Sequence, residues 1–178
     1  IKPIRGGDSR GIDSNSVVYN FSEFKKKVLE IKHKFNLSSL VETYLPGKEY
    51  SVGILQDSTN GTLRAMPIEI IIKKNRNGHC ILDFNVKKDD EETVIAVTDT
   101  KIFKKLAKLG KEAFKALGGK SLGRIDIKMN HKGVPHFMEA NLMPGLRKGY
   151  FYRSCLLNLD MTYEDMIFNI ANTGLSSN

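Results

Sequence analysis

The stretch from residue 122 to residue 145 holds polar side chains whose types and spacing suit metal and phosphate chemistry. Arg124 and Asp126 lie two residues apart in one alternating run, and Glu139 and Asn141 lie two apart in the next. If a hairpin pairs Asp126 with Glu139, it also pairs Arg124 with Asn141, because side chains two apart share a face. Such oxygen ligands suit Mg²⁺, and an arginine can neutralise the oxygens of a transferring phosphoryl group.

The alternative for this hairpin is a solvated face without function, because exposed strands ordinarily carry charges. The exit from Asn141 to Gly145 is a turn-forming segment directly after the second carboxylate. Functional sites favour such edges, where a strand runs into a loop. The hairpin alone leaves both interpretations open.

Helices and strands must hold this hairpin in place. Apolar spacing predicts a helix from an N-cap at Ser22 to about Phe35, packed by its aromatic edge and with its lysines mostly on a solvated face. A second helix is predicted from a cap at Thr98 or Asp99 to about residue 117, and a third from the capping pair Thr162 and Asp165 through residue 171. The predicted strands lie at residues 40–44, 50–55, 63–73, 81–86 and 93–97. Helices laid on antiparallel sheet make an α+β fold.

Composition limits the class of protein. The chain has 178 residues, enough for a substantial core, and a net charge of +8 that suits an anionic ligand or nucleic acid. The lysines follow no nucleic-acid recognition motif, so we expect no nucleic-acid partner. Neither a signal peptide nor a long apolar span is recognisable, so we expect an intracellular protein without a membrane partner. Cys80, Cys155 and the four histidines have no metal-ligand spacing, which argues against a zinc site or a disulfide.

Three other segments could contact a nucleotide. Glycines in residues 1–12 could let backbone N–H groups approach a phosphate beside Ser9 and Lys2, although a plain turn is the alternative, since no Walker A motif follows. Glu42 and Glu49 bracket a predicted turn and could accept from an adenine amino group or a ribose hydroxyl. Residues 73–92 could form a lid or a solvated connector.

Taken in order, these stretches resemble the C-terminal two thirds of an ATP-grasp ligase of the D-alanine:D-alanine ligase type. The similar segments cover nearly the whole chain: Lys2-Pro3 with Gly7 to Ile12, Val41 to Glu49, Asp83 to Lys87, Gly123 to Asp126, and Glu139 to Gly145. The resemblance implies an ATP-grasp fold whose N-terminal part is missing from residues 1–178. It further implies a lid-bearing subdomain at about 16–97, and a metal- and phosphate-binding part made of 98–178 with 1–15.

The resemblance also implies roles for matching positions, with ATP and Mg²⁺ or Mn²⁺ as cofactors. For the nucleotide, the implied contacts are Lys2 and Lys87 on the phosphates, Ser9, Gly7 and Gly11 in a loop that closes over them, Glu42, Thr43 and Leu45 at the adenine edge, and Glu49 on the ribose. The implied metal ligands are Asp126, Glu139 and Asn141. The implied catalytic residues are Arg124, which faces the transferred phosphoryl group, together with Lys87 and Ser9.

The implied activity is ATP-dependent formation of a C–N bond through an acylphosphate. Its substrates would be amino acids or other small carboxylates, in a cytoplasmic enzyme of peptidoglycan biosynthesis, with a homodimer as a further expectation. Because the relatives take substrate contacts from an N-terminal domain, we expect that residues 1–178 alone bind nucleotide weakly and do not ligate.

Departures from the family pattern concern the substrate. Enzymes selective for D-alanine usually have Ser, Tyr and Ser where this chain has Asp8, Lys88 and Tyr150. These three positions and Gly145 are the candidate substrate residues, and Asp8 with Lys88 could pair across a closed lid. The alternatives are therefore a ligase for other amino acids or small carboxylates, and a nucleotide-binding module without ligase activity.

Overall fold

The computed structural model describes residues 1–7, 9–73, 78–79 and 92–175. Contacts divide the chain into two compact units, one made of Ile1–Pro46 with Ile72–Thr93 and the other of Gly47–Ile71 with Val94–Asn178. The subdivision inferred from the family resemblance concerns ligand-binding parts and stays a prediction.

The first unit contains helix α1 (Phe21–Phe35) and two short antiparallel strands, β1 (Lys2–Pro3) and β2 (Ser39–Leu40). The side chain of Asn20 caps α1 by accepting from the backbone N–H of Glu23 at 3.0 Å. The predicted N-cap at Ser22 is therefore wrong by two positions, because an equally good capping side chain precedes it.

Two expectations about the first unit are wrong in their details. Lys27 is not on a solvated face: it is 2 % exposed, and its charge is compensated by Asp13 at 2.8 Å. Phe21, at the aromatic edge that was expected to pack, is 76 % exposed. The predicted strand at 40–44 is limited to Ser39–Leu40, because β1 offers only two residues for pairing. The predicted strand at 81–86 lies outside the described residues.

The second unit is built on a five-stranded sheet in the order β5-β4-β3-β6-β7. Its strands are β3 (Glu49–Gln56), β4 (Leu63–Ile71), β5 (Thr93–Ala96), β6 (Leu122–Met129) and β7 (Pro135–Asn141). The pairings of β3 with β4, β3 with β6 and β6 with β7 are all antiparallel. The predicted α+β class with antiparallel sheet is confirmed.

Helix α2 (Thr100–Ala116) covers one face of this sheet. The side chain of Asp99 caps it, as predicted, and Gly118 follows its end with a φ of 73°. The core on this face is formed by the side chains Tyr50, Val52, Ile54, Leu106, Phe114, Ile125, Ile127 and Met129. Burial of this alternating set fixes which strand residues face the opposite side.

Helices α3 (Tyr150–Leu159) and α4 (Tyr163–Leu175) pack against the opposite face, around Leu55, Met66, Phe151, Cys155 and Met166. The predicted capping pair is present, since the Asp165 N–H donates to Thr162 Oγ1 at 3.1 Å and the Thr162 N–H donates to Asp165 Oδ2 at 3.0 Å. Sequence reasoning missed α3, because its N-cap, Gly149, makes no side-chain capping bond. Within the described ranges, no helix is long and apolar enough to cross a bilayer.

Candidate active site

The hairpin of β6 and β7 has the register in which the predicted polar side chains meet. Asp126 is paired with Glu139, and Arg124 with Asn141. The turn closes as predicted, with the Gly133 N–H donating to the Asn130 carbonyl at 3.0 Å. Because paired residues project to the same side, all four side chains belong to the sheet face opposite α2.

The carboxylate of Asp126 is held by three hydrogen bonds. Its Oδ1 accepts from the Ser51 hydroxyl at 2.8 Å and from Arg124 Nε at 2.9 Å. Its Oδ2 accepts from Arg124 Nη2 at 2.7 Å. The guanidinium therefore binds both carboxylate oxygens, which is the strong bidentate form of this pair.

Arg124 lies among groups that favour its charged form. The side chain is 17 % exposed, and its guanidinium carbon lies 5.6 Å from the centre of the Tyr150 ring, over its face. Burial acts to lower the pKa of Arg124, but the carboxylates of Asp126 and Glu139 outweigh this and raise the pKa above its ordinary value. A permanent cation therefore lies beside the two carboxylates.

A second ion pair lies one step along the same face. Lys128 Nζ donates to Glu49 Oε2 at 2.9 Å, and the two side chains are 8 % and 18 % exposed. The pair joins β3 to β6, whose register places these two residues directly opposite each other. The predicted ribose acceptor Glu49 therefore has a cationic partner.

The first unit contains the other predicted nucleotide residues. Lys2 Nζ lies 2.7 Å from Glu42 Oε2, so a predicted phosphate ligand is paired with a predicted adenine contact. The glycine-rich segment forms consecutive turns, in which the Arg10 N–H donates to the Gly7 carbonyl and the Ile12 N–H to the Ser9 carbonyl.

Backbone conformation and packing both favour glycine at position 11 of this segment. Gly11 has a φ of +80°, and a Cβ there would lie 2.7 Å from Pro3 Cγ and 2.9 Å from Phe35 Cε2.

The other two residues predicted at the adenine edge lie in a segment without helix or strand. Thr43 is exposed and Leu45 is half-buried.

For four of the predicted site residues, the structure gives no contact that bears on their predicted roles. Asp8, Lys87 and Lys88 lie outside the described residues, so the predicted pair of Asp8 and Lys88 stays a prediction. Gly145 is exposed, and a Cβ placed there would meet no heavy atom within 4 Å.

The donor set on the hairpin fits a small divalent cation. Asp126, Glu139 and Asn141 offer two carboxylates and an amide oxygen on one face, which matches the oxygen preference of Mg²⁺. In the described part of the chain, no group of three or more His, Cys, Asp or Glu side chains is placed so that it could hold a metal ion by itself. A cation here would take its remaining ligands from water or substrate.

Sequence reasoning missed two partners of the predicted site residues. Ser51 follows Glu49 by two positions and therefore shares its face, and Lys128 follows Asp126 by two positions. The alternation within each strand signals that these side chains lie on the polar face. Only the pairing of β3 with β6 reveals that Ser51 meets Asp126 and Lys128 meets Glu49.

Comparisons with known proteins identify relatives of this chain and solved structures that resemble it. The D-alanine–D-alanine ligase of Geotalea uraniireducens is 27 % identical over 173 residues, which are 96 % of this chain and 51 % of that protein. The structure of the VanG D-Ala:D-Ser ligase from Enterococcus faecalis has a TM-score of 0.71 at 20 % identity, covering 97 % of this chain and 48 % of that one. The ATP complex of the D-alanine–D-alanine ligase from Bacillus anthracis has a TM-score of 0.69 at 19 % identity, covering 90 % and 48 %.

These structural likenesses show the fold, which is the ATP-grasp fold expected from the sequence. The chain spans about half the length of the curated relatives it matches. The family model described as D-ala D-ala ligase C-terminus matches residues 1–172. The chain therefore belongs to the D-ala D-ala ligase C-terminus family.

Proposed function

We propose that this chain is the C-terminal, ATP- and metal-binding part of a ligase that joins a carboxylate to an amine. D-alanine with D-alanine is the first substrate pair to consider, because the relatives carry that name. The observation that carries the proposal is the cluster of Arg124, Asp126, Glu139 and Asn141 on paired strands. Membership of the ligase family supplies the reaction class.

The reaction needs an activated carboxylate, because a free carboxylate is a poor electrophile. Transfer of the γ-phosphoryl group of ATP to one carboxylate oxygen gives an acylphosphate and ADP. The amine of the second substrate then attacks the acyl carbon, and phosphate leaves as the C–N bond forms. The nucleophile comes from the substrate, so no nucleophilic Ser or Cys of the protein is required.

The hairpin residues offset the negative charge that opposes phosphoryl transfer. Asp126, Glu139 and Asn141 would hold Mg²⁺ or Mn²⁺, and the bound ion would neutralise phosphate oxygens. Arg124 keeps its charge in this environment and can face the transferred group. Losing one such charge-stabilising group ordinarily costs a hundredfold or more in rate, or about 3 kcal/mol.

The remaining assignments rest on the family resemblance. They are Lys2, Lys87, Ser9, Gly7 and Gly11 toward the phosphates; Glu42, Thr43 and Leu45 toward adenine; Glu49 toward ribose; and Asp8, Lys88, Gly145 and Tyr150 toward the substrates. A homodimer and a cytoplasmic location likewise stay predictions.

A second candidate is a ligase that uses another amino acid or small carboxylate. The observation in its favour is Tyr150, whose ring contacts Arg124 where D-alanine-selective relatives usually have a serine. An aromatic ring takes more space than a serine hydroxymethyl group, so a different acceptor would fit beside it.

The test is phosphate release by the full-length protein with ATP, Mg²⁺ and a panel of amino acid pairs. We expect release that depends on both amino acids and falls at least about a hundredfold in Glu139→Gln. Glu112→Gln is the matched control, because Glu112 is an exposed glutamate on α2. Absence of release with every pair would contradict ligase function, and the preferred pair would decide between the two candidates.

A further inference from the structure

Ser51 is a buried hydroxyl at the centre of the polar sheet face. It lies on β3, directly opposite Asp126 on β6, and its side chain is 0 % exposed. None of the roles implied by the family resemblance falls on this residue. A buried hydroxyl needs a hydrogen-bond partner, and Ser51 has one in the Asp126 carboxylate.

Two donors from different strands meet at Asp126 Oδ1. Ser51 Oγ donates at 2.8 Å from the neighbouring strand, whereas Arg124 Nε donates at 2.9 Å from the same strand as Asp126. The two donors differ in charge. A bound divalent cation would repel the guanidinium but not the neutral hydroxyl, so charge repulsion by the cation would leave the bond from Ser51 unaffected.

We propose that Ser51 is a positioning residue that holds the Asp126 carboxylate in place for a divalent cation. This inference rests on the proposed function, because it takes Asp126 as a ligand of the cation. Ser51 acts through Asp126, in the way that hydrogen-bonded partners orient the ligands of other metal sites. Its burial excludes water, so the hydroxyl has few other partners to turn toward.

Binding of Mn²⁺ alone to the full-length protein, followed by the EPR signal of the free ion, tests the proposal without catalysis. Ser51→Ala should weaken Mn²⁺ binding by about 10- to 100-fold, as loss of such a partner does elsewhere. Ser51→Thr keeps the hydroxyl and should retain most of the affinity. Ser51→Val has the same shape as Thr without the hydroxyl, so the Thr and Val pair repeats the comparison if the Ala variant does not fold.

Ser154→Ala is the matched control. Ser154 is also 0 % exposed, and its hydroxyl has no hydrogen-bond partner among the described residues. Removing that hydroxyl should leave Mn²⁺ affinity unchanged. Circular dichroism of each metal-free variant establishes that the protein is folded.

Two results would overturn the proposal in distinguishable ways. If wild type binds Mn²⁺ through Glu139 and the Ala and Val variants bind equally well, Ser51 has no positioning role while the metal site stands. If wild type binds no Mn²⁺, or Glu139→Gln has no effect on binding, the metal site itself fails, and the role of Ser51 fails with it.

Discussion

Arg124 contacts several of the predicted site residues at once. Its guanidinium binds both oxygens of Asp126, lies over the ring of Tyr150 and is close enough to Glu139 for that carboxylate to raise its pKa. A planar fork of donors makes these contacts together, and the point charge of a lysine cannot reproduce them. The shape of this side chain therefore matters as well as its charge.

If the proposed function is correct, Arg124→Lys should reduce phosphate release by the full-length protein about a hundredfold or more, because it keeps the charge but loses the bidentate geometry. Arg64→Lys is the control, since Arg64 also donates from Nε and Nη2 to one aspartate, Asp57, but lies on β4. Release should be unchanged in the control. Full activity of Arg124→Lys would show that charge alone suffices.

Close packing of helix α3 against strand β3 helps to position the side chains of the candidate site. A Cβ at Gly53 would lie 2.8 Å from Ser154 Cβ and 3.2 Å from Met66 Cε, so a side chain at this position would push the helix away. The close approach also brings the first residue of α3, Tyr150, over the guanidinium of Arg124. The glycine on β3 and the aromatic ring on α3 thus belong to one packing arrangement.

Gly53→Ala should lower the free energy of unfolding by about 1–3 kcal/mol, the usual cost of an overpacked core. Equilibrium denaturation in guanidinium chloride measures the change. Gly174→Ala on α4 is the control, because a Cβ there meets nothing within 4 Å, and it should be neutral or stabilising. An unchanged stability of Gly53→Ala would mean that α3 moves aside without cost.

The whole molecule consists of two units, each with its own share of the predicted site residues. The predicted metal ligands belong to the unit built on the five-stranded sheet, as do Arg124 and Glu49, while Lys2 and Glu42 belong to the other. The curated relatives that this chain matches are about twice as long. The family resemblance assigns substrate contacts to the remaining portion of such proteins.

We therefore expect that residues 1–178 alone bind ADP weakly and form no dipeptide, whereas the full-length protein ligates. Mass spectrometry of reactions with ATP, Mg²⁺ and the preferred amino acid pair compares the two proteins directly. Dipeptide formation by the isolated chain would contradict this expectation. Full-length Glu139→Gln provides the background level.

Local signals made much of the fold predictable. Asp99 caps α2, Thr162 and Asp165 cap α4, and the turn at Asn130 to Gly133 closes the hairpin, as expected from neighbouring residues alone. Helix α3 was missed because its start carries no capping side chain, and the burial of Lys27 was missed because its partner Asp13 is fourteen positions away. These failures share a cause, since the deciding partner is either absent or distant in sequence.

By itself the sequence determined which side chains alternate on β6 and β7, and therefore that a polar face was available for Asp126. Tertiary structure decided how the two strands meet. Ile127 pairs with Phe137 but Asp126 pairs with Glu139, so Met138 is an extra residue in β7. A regular ladder from the turn would place Met138 opposite Asp126. The irregularity brings Glu139 there instead, because an extra residue shifts every later pair by one position, and alternation within a single strand cannot reveal such a shift.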